Sequence, residues 1–527
     1  MSQTHYDADV AVVGYGPTGL TAALTLAKEG ASVIAFEHHA SVYPRARAVT
    51  INDWTMRILQ DLGVDSQAMA GLEPQRALRW LTYDRAEVMR VEHPPSSLGA
   101  SARFYNMYQP AFEAALRACG EEYSNLEVYY GLQVTATDQD ADGVTVTAVN
   151  IETDEVTTYR VKYVVAADGA NSTVRDYLGI GMPGEIIPVR WIVIDCYIKR
   201  WWPDRDFLTF WTDKKHPVVD IMLSAYAHRW EIPLEPGETE EDYSTPEQVW
   251  PLLKALGHDE QDIEIHQWAF YQHPVRYADH WREGRIFLAG DACHNTHPWA
   301  GSGMQNGMRD AHNLGWKLGR VLKGTLDEAW LDTYEIERLP VVWHYTNLAV
   351  TLGHVIKQIA TPEEMAEMNE PKTGTVTPWE PPLNAPGQMW SGWFRGPFED
   401  ASIIGRMVPQ PRVCDTEAMG KLDDRIGNGF VLIGDECDPA AALTAEEKAG
   451  WDALGARYIA LRSRESYTLP GADEIVDLDD VIQPWMRRYG VKVIAVRPDK
   501  FVAAADVSGL ATPDFPGTLP QVTLKLS

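Results

Sequence analysis

ADVAVVGYGPTGLTAALTLAKEGASVIAFE, residues 8–37, reads as strand, glycine turn, helix and second strand. The run 8–13 is short and apolar and stops at Gly14, as a strand buried on both faces does. Leu20, Ala23, Leu24 and Ala27 recur at helical spacing, and Gly30 ends that helix before the strand from Ser32 to Phe36. The order is that of a βαβ unit. In Gly14-x-Gly16-x-x-Gly19, the first glycine permits the tight turn and the second lets backbone approach a pyrophosphate. The third lets helix and strand pack closely, while free N–H groups at the helix start face the anion. Glu37 ends the second strand, where a carboxylate can accept ribose hydroxyls. An acid there selects an unphosphorylated ribose, so FAD or NAD fits and NADP does not.

Two later segments return to this style. VVAADGANSTVRDYLGI (164–180) sets Asp168-Gly169 after an apolar run and Arg175 in the helix that follows. GRIFLAGDACHNTHPWAGSGMQNGMRDAHNLGWKL (284–318) sets Gly290-Asp291 after another, then a glycine-rich turn opening a long helix. An Asp at a strand end can hold a ribityl hydroxyl, and a helix N-terminus suits the electron-rich end of a flavin. Between these segments, WIVIDCYIKRWW, FLTFW and VVDIMLSAY alternate β-branched and aromatic residues, which predicts an antiparallel sheet inserted as a second domain.

Bulk properties narrow the function classes. The chain has 527 residues, more than one ordinary core accommodates, which favours several domains. Its 46 basic and 75 acidic residues give a net charge of -29, which repels nucleic acid and anionic lipid. No run of 18 apolar residues occurs, and MSQTHYDADV lacks a basic start or an apolar core, so a cytoplasmic protein off the membrane is expected. Cys119, Cys196, Cys293, Cys414 and Cys437 are scattered with no C-x-x-C pair, so neither a disulfide frame nor a metal site is expected.

In this order the three segments resemble the dinucleotide fingerprint, DG motif and GD motif of the single-component (group A) FAD-dependent aromatic hydroxylases. The likeness is greatest to their 3-(3-hydroxyphenyl)propionate hydroxylase branch, through YPRARAVTIND, WIVID, PGETEE, GMRDAHNLGWKL, LDTYEIER and RPDKFVAA. The resemblance implies an α/β protein: a Rossmann-like FAD-binding domain, an inserted antiparallel-sheet substrate domain and a C-terminal thioredoxin-like domain without redox cysteines. The expected boundaries are 1–75, 100–180 and 276–360 for the first and 76–99 with 181–275 for the second. A linker over 361–404 then leads to the C-terminal unit, 405–527, with strands near 429–433, 457–461 and 492–496 and a packing or homodimer role.

Carried over by that likeness, Gly14, Gly16, Gly19 and Glu37 bind the ADP half of FAD. Arg47, with its neighbour Arg45, contacts the flavin nucleotide and admits the nicotinamide cofactor, and Gln109 touches FAD. Asp168 and Arg175 carry the DG role, Asp291 the ribityl role, and Pro298, Gly301, Gly303 and Met304 form the turn beside the isoalloxazine ring. That turn departs from the family: G-Q-G-M-N is here Gly301-Ser302-Gly303-Met304-Gln305, and His297 stands where proline is frequent.

The implied activity is hydroxylation of a phenolic ring, ortho to its hydroxyl, with NADH or NADPH and dioxygen by way of a flavin hydroperoxide. An electrophilic oxygen needs an electron-rich ring, so a group that polarises the phenol is required. Asp53, His297, Tyr226, His228 and Tyr271 are the candidates, each competing with an ordinary packing role. Trp299 is a candidate wall of the substrate pocket, and Lys199, Arg200 or Arg229 could hold a substrate carboxylate. The rivals that stay open are a flavin-dependent halogenase, whose W-x-W-x-I-P signature is matched only as His228-x-Trp230-x-Ile232-Pro233, another flavin oxidoreductase of the same fold, and a flavin-binding protein without turnover.

Overall fold

Strand Ala8–Val13 lies between strands Val33–Glu37 and Val156–Ala166, parallel to both, and nearly every residue of the three that faces a neighbour is buried. Strand Leu126–Tyr130 adds beyond the first neighbour and Ile286–Leu288 beyond the second, again in parallel. In chain order the five strands therefore lie 3-2-1-4-5, the doubly wound arrangement. Its switch point falls between the ends of Ala8–Val13 and Val156–Ala166, where Ala167 N donates to Val13 O at 2.7 Å. This computed structural model describes residues 5–187, 189–213, 216–296, 298, 301–356, 388–398, 401–469 and 472–517.

Helix Pro17–Lys28 crosses between the first two strands because Leu20, Ala23, Leu24 and Ala27 point at the sheet. Full burial of each leucine stabilises by about 1.5–3 kcal/mol. Its outer side packs on the long helix Gly303–Leu322, where Gly315 admits Thr25 and Gly319 admits Glu29. Helix Thr333–Ile356 packs against that long helix.

The alternating segments form a seven-stranded sheet in the order Ile263–Tyr271, Trp191–Ile198, Ala227–Pro233, Val218–Ser224, Leu208–Trp211, Ala77–Leu81 and Glu87–Glu92. Alternation gives it two faces. Ile192, Ile194, Cys196, Trp230 and Ile232 point outward and pack under helix Pro246–Ala255 through Val249 and Leu253. Trp80, Trp191, Phe210 and Val219 line the opposite, inner face and meet Ala349 of helix Thr333–Ile356.

Beyond residue 405 a second seven-stranded sheet follows, with Val431–Asp435, Arg457–Arg462 and Glu474–Asp477 in parallel and Val493–Val496 with Val502–Ala505 as an antiparallel hairpin. This mixed arrangement is the kind expected of a thioredoxin-like unit. It shares one continuous apolar core with the doubly wound sheet. Of the expected linker, 361–387 lies outside the described residues; 388–398 includes Met389, Trp390 and Trp393, all buried. The five cysteines are free, and among the described residues no helix is long and apolar enough to cross a membrane.

Candidate active site

The glycine turn is built as its spacing requires. Gly14 has φ +88°, and a Cβ there would sit 2.4 Å from Ala167 O. A Cβ on Gly19 would lie 1.9 Å from Gly14 O, so strand and helix approach only because both lack side chains. At Gly16 a Cβ would meet nothing within 4 Å: the backbone fronts open space at the start of helix Pro17–Lys28, which has no side-chain cap. That is a cradle for an anion held by backbone N–H groups. Glu37 stands beside it, almost buried, with Oε2 accepting from Tyr15 N and Oε1 from His39 N, each at 2.9 Å. Each carboxylate oxygen keeps a lone pair for a further donor such as a ribose hydroxyl.

Across the switch point, Asp168 Oδ2 accepts from Val174 N at 3.2 Å and Thr173 Oγ1 at 3.3 Å, while its Oδ1 is buried with no hydrogen-bond partner. Burial pushes this carboxyl upward. A buried oxygen left unmade is costly, so a donor from a bound group fits here. Arg175 donates through Nη1 to Ala170 O at 3.1 Å and Ala292 O at 3.2 Å, bracing the DG loop against the GD turn.

Gly290 (φ +61°) and Gly307 both crowd Thr18, with a Cβ on either coming 2.7 Å or 2.2 Å from Thr18 Oγ1. The first βα turn, the GD turn and the long helix thus meet at one threonine. Asp291 lies exposed on the short turn Gly290–Ala292, and the protein packed around it raises its pKa. Behind it Asp310 accepts from Gly290 N at 3.3 Å, His294 Nε2 at 2.5 Å and Arg338 Nε at 2.7 Å. Those two neighbours hold the fully buried Asp310 below the usual carboxylate range despite its desolvation. Cys293, His294 and Asp310 are close enough to share a cation, but Arg338 already neutralises Asp310 and burial keeps Cys293 a thiol.

The turn before the long helix is tied down from inside. Gly301 (φ +56°) leaves room for Thr50, whose Oγ1 would be 2.3 Å from a Cβ, and Gly303 begins the helix. Gln305 accepts from Asn52 N at 2.9 Å and Thr55 Oγ1 at 3.0 Å and donates to Gly301 O at 2.7 Å. The longer amide therefore faces protein and joins the turn to residues 50–55. Met304 is half-buried on the core, and Pro298 is exposed. His297 and Trp299 lie outside the described residues. Gln109 accepts from Arg47 N at 2.9 Å and Ala48 N at 2.8 Å, so it shapes the arginine loop through its backbone. The side chains of Arg45 and Arg47 project from that loop, exposed.

Residues 7–349 match the FAD binding domain family, and residues 405–512 match the HcaD C-terminal domain. The chain is 31% identical over 531 residues to 3-(3-hydroxy-phenyl)propionate/3-hydroxycinnamic acid hydroxylase 2 of Burkholderia vietnamiensis, covering 97% of this chain and 96% of the relative. Identity to the hydroxylase of the same substrates from Klebsiella pneumoniae is 31% over 516 residues, covering 95% and 92%. The chain belongs to the FAD-dependent aromatic hydroxylases. The fold is also shared with aklavinone-11 hydroxylase in complex with FAD and aklavinone, at TM-score 0.74, 24% identity and coverage of 95% and 96%. The flavin-dependent monooxygenase PieE, in complex with FAD and substrate, gives TM-score 0.75 at 22% identity and the same coverage.

On the sheet side of the hydroxylase, the candidate residues separate by face. His228 points outward: it is fully enclosed, 2.6 Å from Asp220 Oδ1, among Trp202, Trp230 and His258. Burial lowers its pKa, and the strand holds it on the outer face, away from Arg229 and the arginine loop. Tyr226 sits exposed at a hairpin turn, edge-on to Tyr108. Lys199 and Arg200 follow the end of strand Trp191–Ile198, bound to Glu260 O and Asp262, and are exposed. Tyr271 is half-buried on the strand beside Trp191, its phenol pushed up by burial. Asp53 starts helix Asp53–Asp61, accepts from Ser96 Oγ at 2.9 Å and is likewise pushed up by burial.

Arg229 is not a free cation for a substrate carboxylate. It grips Asp195 with Nε at 2.7 Å and Nη2 at 2.9 Å, and donates to Arg47 O at 3.2 Å and Ala46 O at 2.5 Å. The buried pair fastens the arginine loop to the inner face of the sheet. Sequence reading passed over Asp195, Asp310, Arg338 and Glu231. The last follows Arg229 by two residues on one strand and so shares its face, a signal the alternation carried.

Proposed function

We propose that the protein hydroxylates a phenolic ring ortho to its hydroxyl, using FAD, NADH or NADPH and dioxygen. The observation that carries this reading is the joining of the fingerprint, the GD turn and the long helix at Thr18. Gly16 and the helix behind it would hold the pyrophosphate, Glu37 a ribose, and Asp168 and Asp291 hydroxyls of the flavin nucleotide. When bound, FAD supplies the redox chemistry and the activation of dioxygen.

The chain's own residues do the rest. Sheet residues 191–271 with the hairpin 77–92 form the substrate side, whose inner face is backed by the buried aromatic cluster of Trp80, Trp191 and Phe210. An apolar backing of this kind keeps water from a carbon bound beside it, which protects an oxygen-transfer step. Exposed Arg45 and Arg47 offer charge to the phosphates of the nicotinamide donor. The relatives' names point to substituted 3-hydroxyphenyl compounds as the first substrates to try.

The test is oxidation of NADH or NADPH by the FAD-loaded protein with a panel of meta-substituted phenols, read together with product mass. Phenol-dependent oxidation and a gain of one oxygen atom support the reading. A halogenated product would favour the halogenase, and binding of flavin without turnover would favour a non-catalytic protein.

A further inference from the structure

Glu231 is the one carboxyl of strand Ala227–Pro233, and it points to the inner face with Arg229 while Trp230 and Ile232 point outward. It has no hydrogen-bond partner among the described residues; its closest charged atom is Arg229 Nη1 at 3.8 Å. Four of the five Arg229 N–H donors are taken by Asp195, Ala46 O and Arg47 O, and the fifth, on Nη1, stays beyond hydrogen-bond distance of Glu231. The side chain of Glu231 is 16% exposed while those of Arg229 and Asp195 are 3% and 9%, so the opening on this face reaches Glu231. Val193 and Val219 flank it on the neighbouring strands, and Val219 belongs to the cluster of Trp80, Trp191 and Phe210. A carboxyl with no hydrogen bond, held only by a loose ion pair to Arg229, therefore stands beside a buried aromatic cluster and the residue that fastens the arginine loop. Buried acceptors are seldom left unmade without a functional reason.

We infer that Glu231 accepts the hydrogen bond of the substrate's phenolic hydroxyl and takes its proton during hydroxylation, an inference that rests on the proposed reaction. In this step the phenolic O–H bond breaks and an O–H bond forms on a Glu231 carboxylate oxygen. The electron pair stays on the phenolate oxygen and enriches the ortho carbon, and nothing is oxidised or reduced. Burial raises the Glu231 pKa, opposed by Arg229 and reinforced by Asp195, the two charged groups that act on it. A raised pKa makes a carboxylate a better proton acceptor at neutral pH.

The experiment compares FAD-loaded wild type with Glu231→Gln and Glu231→Asp, using the best phenol of the panel and its methyl ether. Binding is read from the flavin absorbance change, and hydroxylation rate is followed from pH 7 to pH 10. Wild type is expected to bind the phenol about tenfold tighter than the ether, and Glu231→Gln to lose most of that preference. At neutral pH Glu231→Gln is expected to hydroxylate about 100-fold more slowly, with the deficit shrinking as the phenol ionises by itself near pH 10. Glu231→Asp is expected to recover part of the rate, and it carries the same comparison where Glu231→Gln does not fold. Unchanged binding preference and rate, or a loss that is the same at every pH, overturns the inference while leaving the function intact. Failure of wild type itself to hydroxylate any phenol overturns the function and the inference together.

Discussion

Gly16 and Gly19 lie three residues apart in one turn, yet a methyl group meets opposite surroundings at each. At Gly19 it strikes Gly14 O at 1.9 Å, and at Gly16 it enters open space. Gly19→Ala is therefore expected to lower the unfolding midpoint of the flavin-free protein, whereas Gly16→Ala leaves that midpoint unchanged and weakens FAD binding. Thermal scans with and without FAD, with flavin titration, separate the two. The roles of these glycines and the position of Glu37 were legible, because turn geometry fixes both locally. The partner of Arg229 was not: Asp195 is 34 residues away in the chain and on another strand. Arg229→Leu strands a buried carboxylate and is expected to cost about 3–5 kcal/mol in denaturant unfolding.

Strand alternation and the long helix set the next scale. The inner and outer faces of the sheet follow from period-two patterning, which also separates His228 from Arg229 and Glu231. Patterning alone does not join hairpin Ala77–Leu81 and Glu87–Glu92 to a sheet formed more than a hundred residues later, since pairing is a long-range choice; only the family resemblance groups 76–99 with 181–275. Helix Gly303–Leu322 was readable from its glycine-rich start, but not the use of Asp310 beneath the GD turn. There Asp310 links the turn, through Gly290 N and His294, to Arg338 on helix Thr333–Ile356. Asp310→Asn leaves Arg338 buried without its counter-charge, so a loss of about 3–5 kcal/mol is expected. Urea unfolding measures it, and a parallel fall in FAD affinity is expected because Asp291 shares the same turn.

At the scale of the whole molecule, Glu337 binds Lys317 at 2.8 Å and Arg497 at 2.7 Å, and Arg497 also binds Asp499 at 2.7 Å. All four are sealed from solvent and join the two helices of the FAD-binding part to the C-terminal unit. Such a contact spans 160 residues and has no trace in local pattern. Arg497 and Lys317 hold the Glu337 carboxyl far below its unfolded value, despite burial. A lowered folded pKa gives stability that is present above the unfolded pKa, near pH 4.3, and is lost as pH falls below it. Wild type is expected to lose stability steeply from about pH 4.5 downward, and Glu337→Gln to be less stable at pH 7 with a flatter acid limb, as followed by circular dichroism.

The central claim is that dioxygen, activated at a flavin held by these three motifs, supplies the oxygen added to a phenol. The direct measurement is product mass after turnover of the FAD-loaded protein with a nicotinamide donor, a phenol and isotopically labelled dioxygen. One labelled oxygen atom in a catechol-type product is the expected result. A product carrying oxygen from water, a halogen in its place, or donor oxidation indifferent to the phenol would contradict it.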